Sequence, residues 1–131
     1  METQIVLSDH IEATPVAPGQ TVNTLFNPTL ALAVPTVPNN LSFSVTVLTK
    51  DMDFDRDQNI TFSILGEDDN VLNQIQANIQ PQKINQLGTF NFNLDFRNVL
   101  FRQNGVHFVT FNIDGTEITR QKFEIKTINE M

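Results

Sequence analysis

The sequence contains no cysteine, tryptophan or tyrosine. Without cysteine the chain has no disulfide, thiolate metal ligand or cysteine nucleophile, and this composition fits a reducing compartment. Its aromatic residues are 11 phenylalanines. Phenylalanine has no polar group and usually fills cores, whereas tyrosine and tryptophan are enriched at binding surfaces. We therefore expect no large aromatic binding hot spot.

Long apolar segments are also missing. The N-terminus is acidic at Glu2 and reaches only the short apolar run Ile5–Leu7, so neither a signal peptide nor a transmembrane helix is predicted. No segment has the 3.6-residue period of an amphipathic helix. We expect a cytoplasmic protein with no membrane contact, folded as a single domain over residues 1–131.

Apolar and polar residues instead alternate along several short segments. The clearest are Leu41–Val47, Ile60–Ile64 and Phe90–Phe96, and a two-residue period predicts strands with one packed face and one wet face. Further strands are predicted at Gln4–Leu7 and Gln20–Phe26. With turn signals at intervals of about ten residues, the pattern predicts an all-β, two-sheet antiparallel β-sandwich of about seven to eight strands with immunoglobulin-like topology.

Proline, glycine and asparagine predict where the strands are interrupted. Pro15, Pro18 and Gly19 predict a loop after His10. Prolines at 28, 35 and 38 break the next stretch into edge or loop segments. The chain is also predicted to turn through Arg97-Asn98 on its way to Gly105.

The clearest hairpin is Gly105–Lys126, with Asp114-Gly115 at its centre. This residue pair favours a two-residue turn with positive φ at both central positions. Such a turn sets Ile113 opposite Thr116, Phe111 opposite Ile118, and Val109 opposite Arg120. Phe123 and Ile125 have the opposite parity from Ile118, so we predict a β-bulge between Thr119 and Lys122 that returns them to the core face.

Three features together resemble a known family: an opening strand followed by Asp9, the run Asn98–Phe101 before Gly105, and the hairpin segment Phe111–Gly115. They are similar to a family of small bacterial and phage immunoglobulin-like β-sandwich domains of unknown function. The resemblance covers most of the chain and implies that fold, but it brings no functional residues. The chain departs from the family pattern in its acidic segment 51–57 and at His107, which we expect to be a satisfied core-edge histidine.

The net charge of −7 is unevenly distributed. Residues 1–70 hold ten acids and two bases (−8), whereas residues 71–131 hold five acids and six bases (+1). Two segments concentrate the acids: Asp51, Asp53, Asp55 and Asp57, and then Glu67, Asp68 and Asp69. Such a field repels nucleic acid, so direct binding of nucleic acid is not expected, and it attracts a basic protein partner.

The first acidic segment is similar to a calcium loop, because carboxylates alternate at Asp51, Asp53, Asp55 and Asp57. An EF-hand requires glycine at the sixth position and glutamate at the twelfth, where this chain has Arg56 and Phe62. A looser calcium site between strands stays open beside the simpler interpretation of a solvated acidic turn. No other cofactor is expected.

A catalytic set is not evident. Ser8, Asp9 and His10 are adjacent, and on an extended chain Asp9 points away from the face shared by the other two, so they do not form a triad. The carboxylates lack a surrounding tryptophan or tyrosine sugar platform. We therefore expect a protein that is not an enzyme.

Two classes of function remain. The first is a protein-interaction module that uses the loops at one end of the sandwich or an amide-rich strand, whose polar residues are Asn73, Gln74, Gln76, Asn78 and Gln80. The second is an acidic inhibitor whose two carboxylate-rich segments imitate phosphates and occupy the nucleic-acid channel of a bacterial defence enzyme, as an anti-CRISPR protein would. The sequence favours the module. An exposed edge strand would also allow two copies to pair as a homodimer.

Overall fold

The computed structural model describes residues 1–128, which form ten β-strands. The strands are β1 Glu2–Ser8, β2 His10–Ala17, β3 Gln20–Phe26, β4 Ala31–Val34, β5 Asn39–Lys50, β6 Gln58–Leu65, β7 Val71–Ile79, β8 Thr89–Phe101, β9 Gly105–Ile113 and β10 Thr116–Thr127. Nowhere in residues 1–128 is there a helix with the length and apolar character needed to cross a membrane. The all-β class is confirmed, with ten strands in place of the predicted seven to eight.

The strands form three sheets. Their orders are β1-β5-β8, β4-β10-β9-β6-β7 and β2-β3, and the pairing of β4 with β10 is parallel whereas the others are antiparallel. The two larger sheets share one apolar core, in which the Phe62 and Phe92 rings lie 5.2 Å apart and the Phe43 and Phe123 rings 6.2 Å apart. This arrangement is compatible with the predicted β-sandwich.

The predicted C-terminal hairpin is present as β9 and β10. Asp114 and Gly115 have φ angles of 49° and 82°, as the turn requires. The bulge lies between Glu117 and Thr119, so the predicted position between Thr119 and Lys122 is wrong. The predicted register would have placed Arg120 on the core face, whereas the earlier bulge keeps its guanidinium outside and still returns Phe123 to the core.

The outer face of β5 is less exposed to solvent than the alternation of apolar and polar residues in Leu41–Val47 predicts. Ser44 and Thr46 are both buried, because β5 is the central strand of its sheet and the longer Asp95 and Asn93 side chains lie opposite them on β8. Ser44 donates a hydrogen bond to Asp95 at 2.7 Å, and Thr46 donates one to Asn93 at 3.0 Å. These cross-strand bonds satisfy hydroxyl groups that would otherwise lose their water without compensation.

Two predicted interruptions are strand in the structure. The turn at Arg97-Asn98 is a bulge within β8: pairing shifts between Leu41 and Phe43, Asn98 has φ 54°, and its N–H donates to Ser42 Oγ at 3.0 Å. An asparagine tolerates positive φ, so β8 bends there and its pairing continues to Phe101.

The predicted loop after His10 is also wrong, because β2 and β3 pair as a separate hairpin, here named the arm. Pro15 is accommodated next to an irregularity between Pro15 and Ala17, where proline is tolerated in a strand. Pro18-Gly19 forms the turn at the tip of the arm, with φ 73° at Gly19.

Candidate protein-interaction surfaces

The amide-rich strand is β7, and it lies at the edge of the five-stranded sheet. Its only strand partner within residues 1–128 is β6. Val71–Ile79 contains neither a charged residue nor a proline. Ile75 and Ile79 pack against the core, which fixes the strand and directs Gln74, Gln76 and Asn78 to the outer face.

Hydrogen bonds order the outer amides into a row. The structure brings four of the five predicted residues together through side-chain bonds: Gln76 donates to Gln74 at 3.2 Å, Gln80 donates to Asn78 at 2.8 Å, Gln74 donates to Ser63 at 3.1 Å, and Asn78 donates to Asn59 at 2.9 Å. We name Gln74, Gln76, Asn78 and Gln80 the amide row. Its side chains are pre-positioned by one another and by β6.

The fifth residue, Asn73, acts on the backbone. Its Oδ1 accepts a hydrogen bond from the N–H of Gln74 at 2.7 Å. Because backbone N–H directions alternate along a strand, the N–H groups of Gln76 and Asn78 point the same way as that of Gln74. The Gln74 N–H is already bonded to Asn73, so the edge of β7 presents the main-chain N–H groups of Gln76 and Asn78 to a partner.

The first acidic segment, residues 51–57, connects β5 to β6 and is held from inside. Met52 and Phe54 are 4% and 5% exposed, and the Phe54 ring lies 5.0 Å from that of Phe90. The N–H of Asp55 donates to Asp53 Oδ1 at 2.8 Å, and the Gln58 side chain donates to the Asp53 carbonyl at 2.5 Å. With alternate residues buried, the four aspartates at 51, 53, 55 and 57 face solvent.

An ion pair joins this segment to the β9–β10 turn. Arg56 Nη1 lies 2.9 Å from Asp114 Oδ2, while Asp114 Oδ1 accepts the N–H of Asn59 at 2.9 Å. The hydrogen bond from Asn59, aided by Arg56, holds the pKa of Asp114 below its usual value. Arg56 therefore neutralises the turn rather than the neighbouring aspartates.

The second acidic segment, residues 66–70, lies at the opposite end of the molecule, because β6 separates the two. An eight-residue strand is about 25 Å long. Asp69 Oδ1 pairs at 3.0 Å with Arg120, which is also bonded to Glu117 at 2.7 Å and lies over the Phe108 ring. The structure therefore does not bring the seven predicted carboxylates, Asp51, Asp53, Asp55, Asp57, Glu67, Asp68 and Asp69, into one surface.

The calcium interpretation of segment 51–57 stays a prediction, without a cluster of ligands among the described residues to support it. Across residues 1–128 no group of three or more histidine, cysteine, aspartate or glutamate side chains is arranged to hold a metal ion. The physical reason is the alternation within 51–57: Met52 and Phe54 turn inward, so the carboxylates of Asp51, Asp53, Asp55 and Asp57 are directed outward separately and do not converge.

Ser8, Asp9 and the two histidines do not form a catalytic set in the described residues. Ser8 is fully buried, Asp9 accepts a hydrogen bond from Asn27 at 3.1 Å, and the exposed His10 ring stacks on Phe26 with 4.3 Å between centroids. His107 is 4% exposed, and its Nδ1 lies 2.9 Å from the Gly105 carbonyl oxygen. The prediction of a satisfied core histidine at 107 is confirmed.

Sequence reasoning missed the arginines that organise both ends. Arg56 pairs with Asp114, which follows it by 58 positions in the sequence, and Arg120 pairs with Asp69, which precedes it by 51 positions. A single sequence contains no signal for such pairs until the strand register is known. Asp114 was selected for its turn geometry alone, and its second role as an acceptor for Asn59 and Arg56 depends on the β6–β9 pairing.

Comparison with known proteins identifies the family but adds no activity. Neither the curated proteins nor the solved structures contain a match to this chain. A family model described as a family of unknown function, DUF6941, matches residues 4–126, which takes in all the surfaces described above. The chain belongs to the DUF6941 family, whose function is unknown.

Proposed function

We propose that this protein is a non-enzymatic protein-interaction module that binds an extended segment of a protein partner as an added strand on the open edge of β7. The observation that carries the proposal is the nature of this edge, nine residues long without charge or proline. Native proteins usually blunt exposed edges with charged residues, proline or short strands. An unprotected edge is therefore a template for a further strand.

The other edges of the two large sheets support this assignment by contrast. β1 carries Glu2, β8 carries Asp95 and Arg97, and β4 has only four residues. Among the strands that the structure describes in those sheets, β7 is the one long neutral edge. The inner face of β7 is also held in place, because Ile75 and Ile79 pack against the core.

The chemistry of the edge indicates the class of partner. Main-chain hydrogen bonds supply affinity in strand addition, and alternate side chains supply specificity. The N–H row of β7 meets the carbonyl row of an incoming strand, and the amide row lies beside its alternate side chains. A segment of uncharged polar and β-branched residues suits this surface, because it buries no unpaired charge.

The proposed fold is an immunoglobulin-like sandwich of bacterial or phage type, and the strand order supports its topology. The orders β1-β5-β8 and β10-β9-β6-β7 correspond to strands A-B-E and G-F-C-C′ of that fold. In this correspondence, segment 51–57 and the Asp114-Gly115 turn occupy the end where variable domains bind their ligands. β7 corresponds to C′, which lies on the edge of the sheet.

A proline substitution tests the proposal. Gln76→Pro removes an outward N–H from the edge of β7, and Gln76→Ala removes the same side chain but keeps the N–H. We expect Gln76→Pro to abolish capture of the partner and Gln76→Ala to retain most of it, measured by pull-down from a bacterial lysate with mass spectrometry. Thermal unfolding checks that both variants stay folded. Equal capture by the wild type and the proline variant would contradict strand addition.

A second candidate function is the binding of a basic protein partner by segment 51–57. An anti-CRISPR-like inhibitor that contacts its target through this segment, and not through segment 66–70, belongs to this candidate. Supporting it, Met52 and Phe54 anchor a loop whose four aspartates face solvent. Binding through such charges weakens steeply with added salt.

The test of this candidate replaces the aspartates at 51, 53, 55 and 57 with asparagine and compares capture at low and moderate salt. The control is Glu67→Gln with Asp68→Asn at the opposite end. Loss of a nucleic-acid enzyme from the first variant alone would support the candidate. Retention of every partner by both variants would exclude it.

A further inference from the structure

The arm, β2 with β3, stands away from the sandwich. Both faces of the hairpin are exposed: Thr14 and Val16 on one face and Ala13 and Pro15 on the other all lie at the surface. A ribbon lying on the body would bury one of its two faces. The eight residues of β2 give the arm a length of about 25 Å.

The body fixes the arm at its base. Asp9 N–H donates to the Phe26 carbonyl at 2.9 Å, the Asn27 side chain donates to Asp9 at 3.1 Å, and Thr29 N–H donates to the Leu7 carbonyl at 3.0 Å. These bonds hold both strands where they leave the sandwich. They set the direction of the arm, but they lie at its base and leave its tip exposed.

The composition of the arm suits burial against another surface. Residues 13–26 carry no charged side chain, although the whole chain has a net charge of −7. At the tip, Val16 and Val22 are 60% and 50% exposed. A two-stranded ribbon is marginally stable in water by itself and becomes stable when it joins a larger sheet.

The molecule itself offers the matching surface. β3 has seven residues and β7 has nine, and neither contains a charge. Two copies of this chain repel each other through their net charges, and the repulsion is smallest where neutral strands meet. Acidic segments 51–57 and 66–70 lie at the two ends of β6, away from the middle of β7.

We propose that the arm of one copy docks on the open edge of β7 in a second copy, with β3 as the added strand. This inference rests on the proposed function of β7 and names a second copy of the chain as its partner. A reciprocal exchange closes a twofold dimer, whereas a one-way exchange produces a chain of copies. In both the reciprocal and the one-way arrangement, the sheet that contains β6 and β7 continues into the arm of the second copy.

The test uses charge reversal on the full-length protein in sedimentation velocity over a wide concentration range. Gln76→Glu with Asn78→Asp places two charges on β7 at almost constant shape, and we expect self-association to weaken at least about tenfold. Adding Thr21→Lys and Asn23→Lys on the arm should restore it. Adding Thr21→Glu and Asn23→Asp should not.

A matched control separates local pairing from net charge. Glu67→Gln with Asp68→Asn, added to the acidic β7 variant, changes the net charge by the same two units as the arm lysines, and it should restore nothing. Circular dichroism verifies the fold of each variant. If this control fully restored self-association, net charge alone would explain the rescue by the arm lysines, and the inference would be overturned.

The remaining outcomes distinguish this inference from the proposed function. A wild type that is monomeric at every concentration, yet binds a foreign partner in a manner abolished by Gln76→Pro, would overturn the inference and leave the proposed function standing. If self-association weakens in the Gln76→Glu, Asn78→Asp variant and the added arm lysines do not restore it, the arm is not the strand that binds β7, and the inference is overturned. Association unaffected by any β7 substitution, with no Gln76→Pro effect on capture, would overturn both.

Discussion

The arm and the sandwich are both antiparallel β-structure, but they are stabilised differently. In the sandwich, phenylalanines from both large sheets meet: the Phe62 ring lies 5.2 Å from Phe92 and 5.5 Å from Phe111. In the arm, the main ring contact is Phe26 stacked on His10 at the base, and the tip valines lie in solvent. Backbone pairing and a few contacts at the base maintain the arm, whereas apolar burial maintains the sandwich.

This difference separates the strands that define the fold from those that are available to a partner. The β-branched residues of the arm favour extended structure, yet nothing in the described residues covers the faces of its outer half, residues 13–23. Such elements have low local stability and are suited to binding. The contrast predicts that substitutions in the sandwich change stability and that equivalent ones in the arm change association.

The largest expected effect is in the core. Phe111→Ala removes a fully buried ring and should lower the free energy of unfolding by about 3–5 kcal/mol. Urea denaturation followed by circular dichroism measures this change. The matched arm variant, Phe26→Ala, removes a ring that is 37% exposed and should cost about 1 kcal/mol or less.

Similar losses from Phe111→Ala and Phe26→Ala would contradict the comparison. They would indicate that the arm packs on the sandwich in solution. The measurement is made on dilute protein, so that association of copies does not add to the stability of the arm.

The turns of the two hairpins provide a second comparison, with a smaller expected effect. Asp114 in the β9–β10 turn has φ 49° and accepts the Asn59 N–H. Asp114→Ala should lower the urea midpoint, because alanine adopts that conformation at a cost and leaves the Asn59 N–H without its acceptor. Asp114→Asn should be milder, since asparagine keeps both the conformation and an acceptor.

The matched substitution at the arm's turn is Pro18→Ala, which should leave the midpoint unchanged, since the arm does not contribute to the core. A shift of the same size as that of Asp114→Ala would mean that the arm and the sandwich unfold as one cooperative unit through shared contacts.

The sandwich strands could be predicted from the sequence because a buried face imposes a two-residue period. Phe43, Val45 and Val47 are buried as the alternation indicates, and so are Ile60, Phe62 and Ile64. Within the arm, β3 agrees with the predicted strand Gln20–Phe26, whereas β2 is predicted as a loop because its alternate residues face solvent on both sides and leave no period to detect. Pro15 and Pro18 reinforced that error, although an exposed ribbon tolerates proline.

The surfaces were predictable to a different degree. The amide-rich residues can be recognised from the sequence as a group because they lie close together, and Gln74, Gln76, Asn78 and Gln80 share one parity whereas Asn73 does not. The sequence divides the acidic residues between two segments, but their separation by the length of β6 depends on the tertiary arrangement of segments 51–57 and 66–70. The ion pairs of Arg56 and Arg120 depend on the register of β6 with β9 and of β9 with β10.

The smallest expected effect is the acid sensitivity of the β9–β10 turn. The hydrogen bond from Asn59 and the Arg56 guanidinium lower the pKa of Asp114, and the bond from Arg120 lowers that of Glu117. A lowered pKa in the folded state contributes stability above the unfolded value, which is about 4 for these carboxyls, and this contribution is lost as the pH falls through the folded value.

Unfolding free energy should therefore fall more steeply with acidification in the wild type than in Asp114→Asn, whose side chain does not ionise. The two proteins should differ most near neutral pH and converge in strong acid, where Asp114 is protonated in both the folded and the unfolded state. Urea titrations at a series of pH values measure the slope. Parallel profiles would show that the ionised carboxylate of Asp114 contributes nothing to the sandwich, and that only its turn geometry matters.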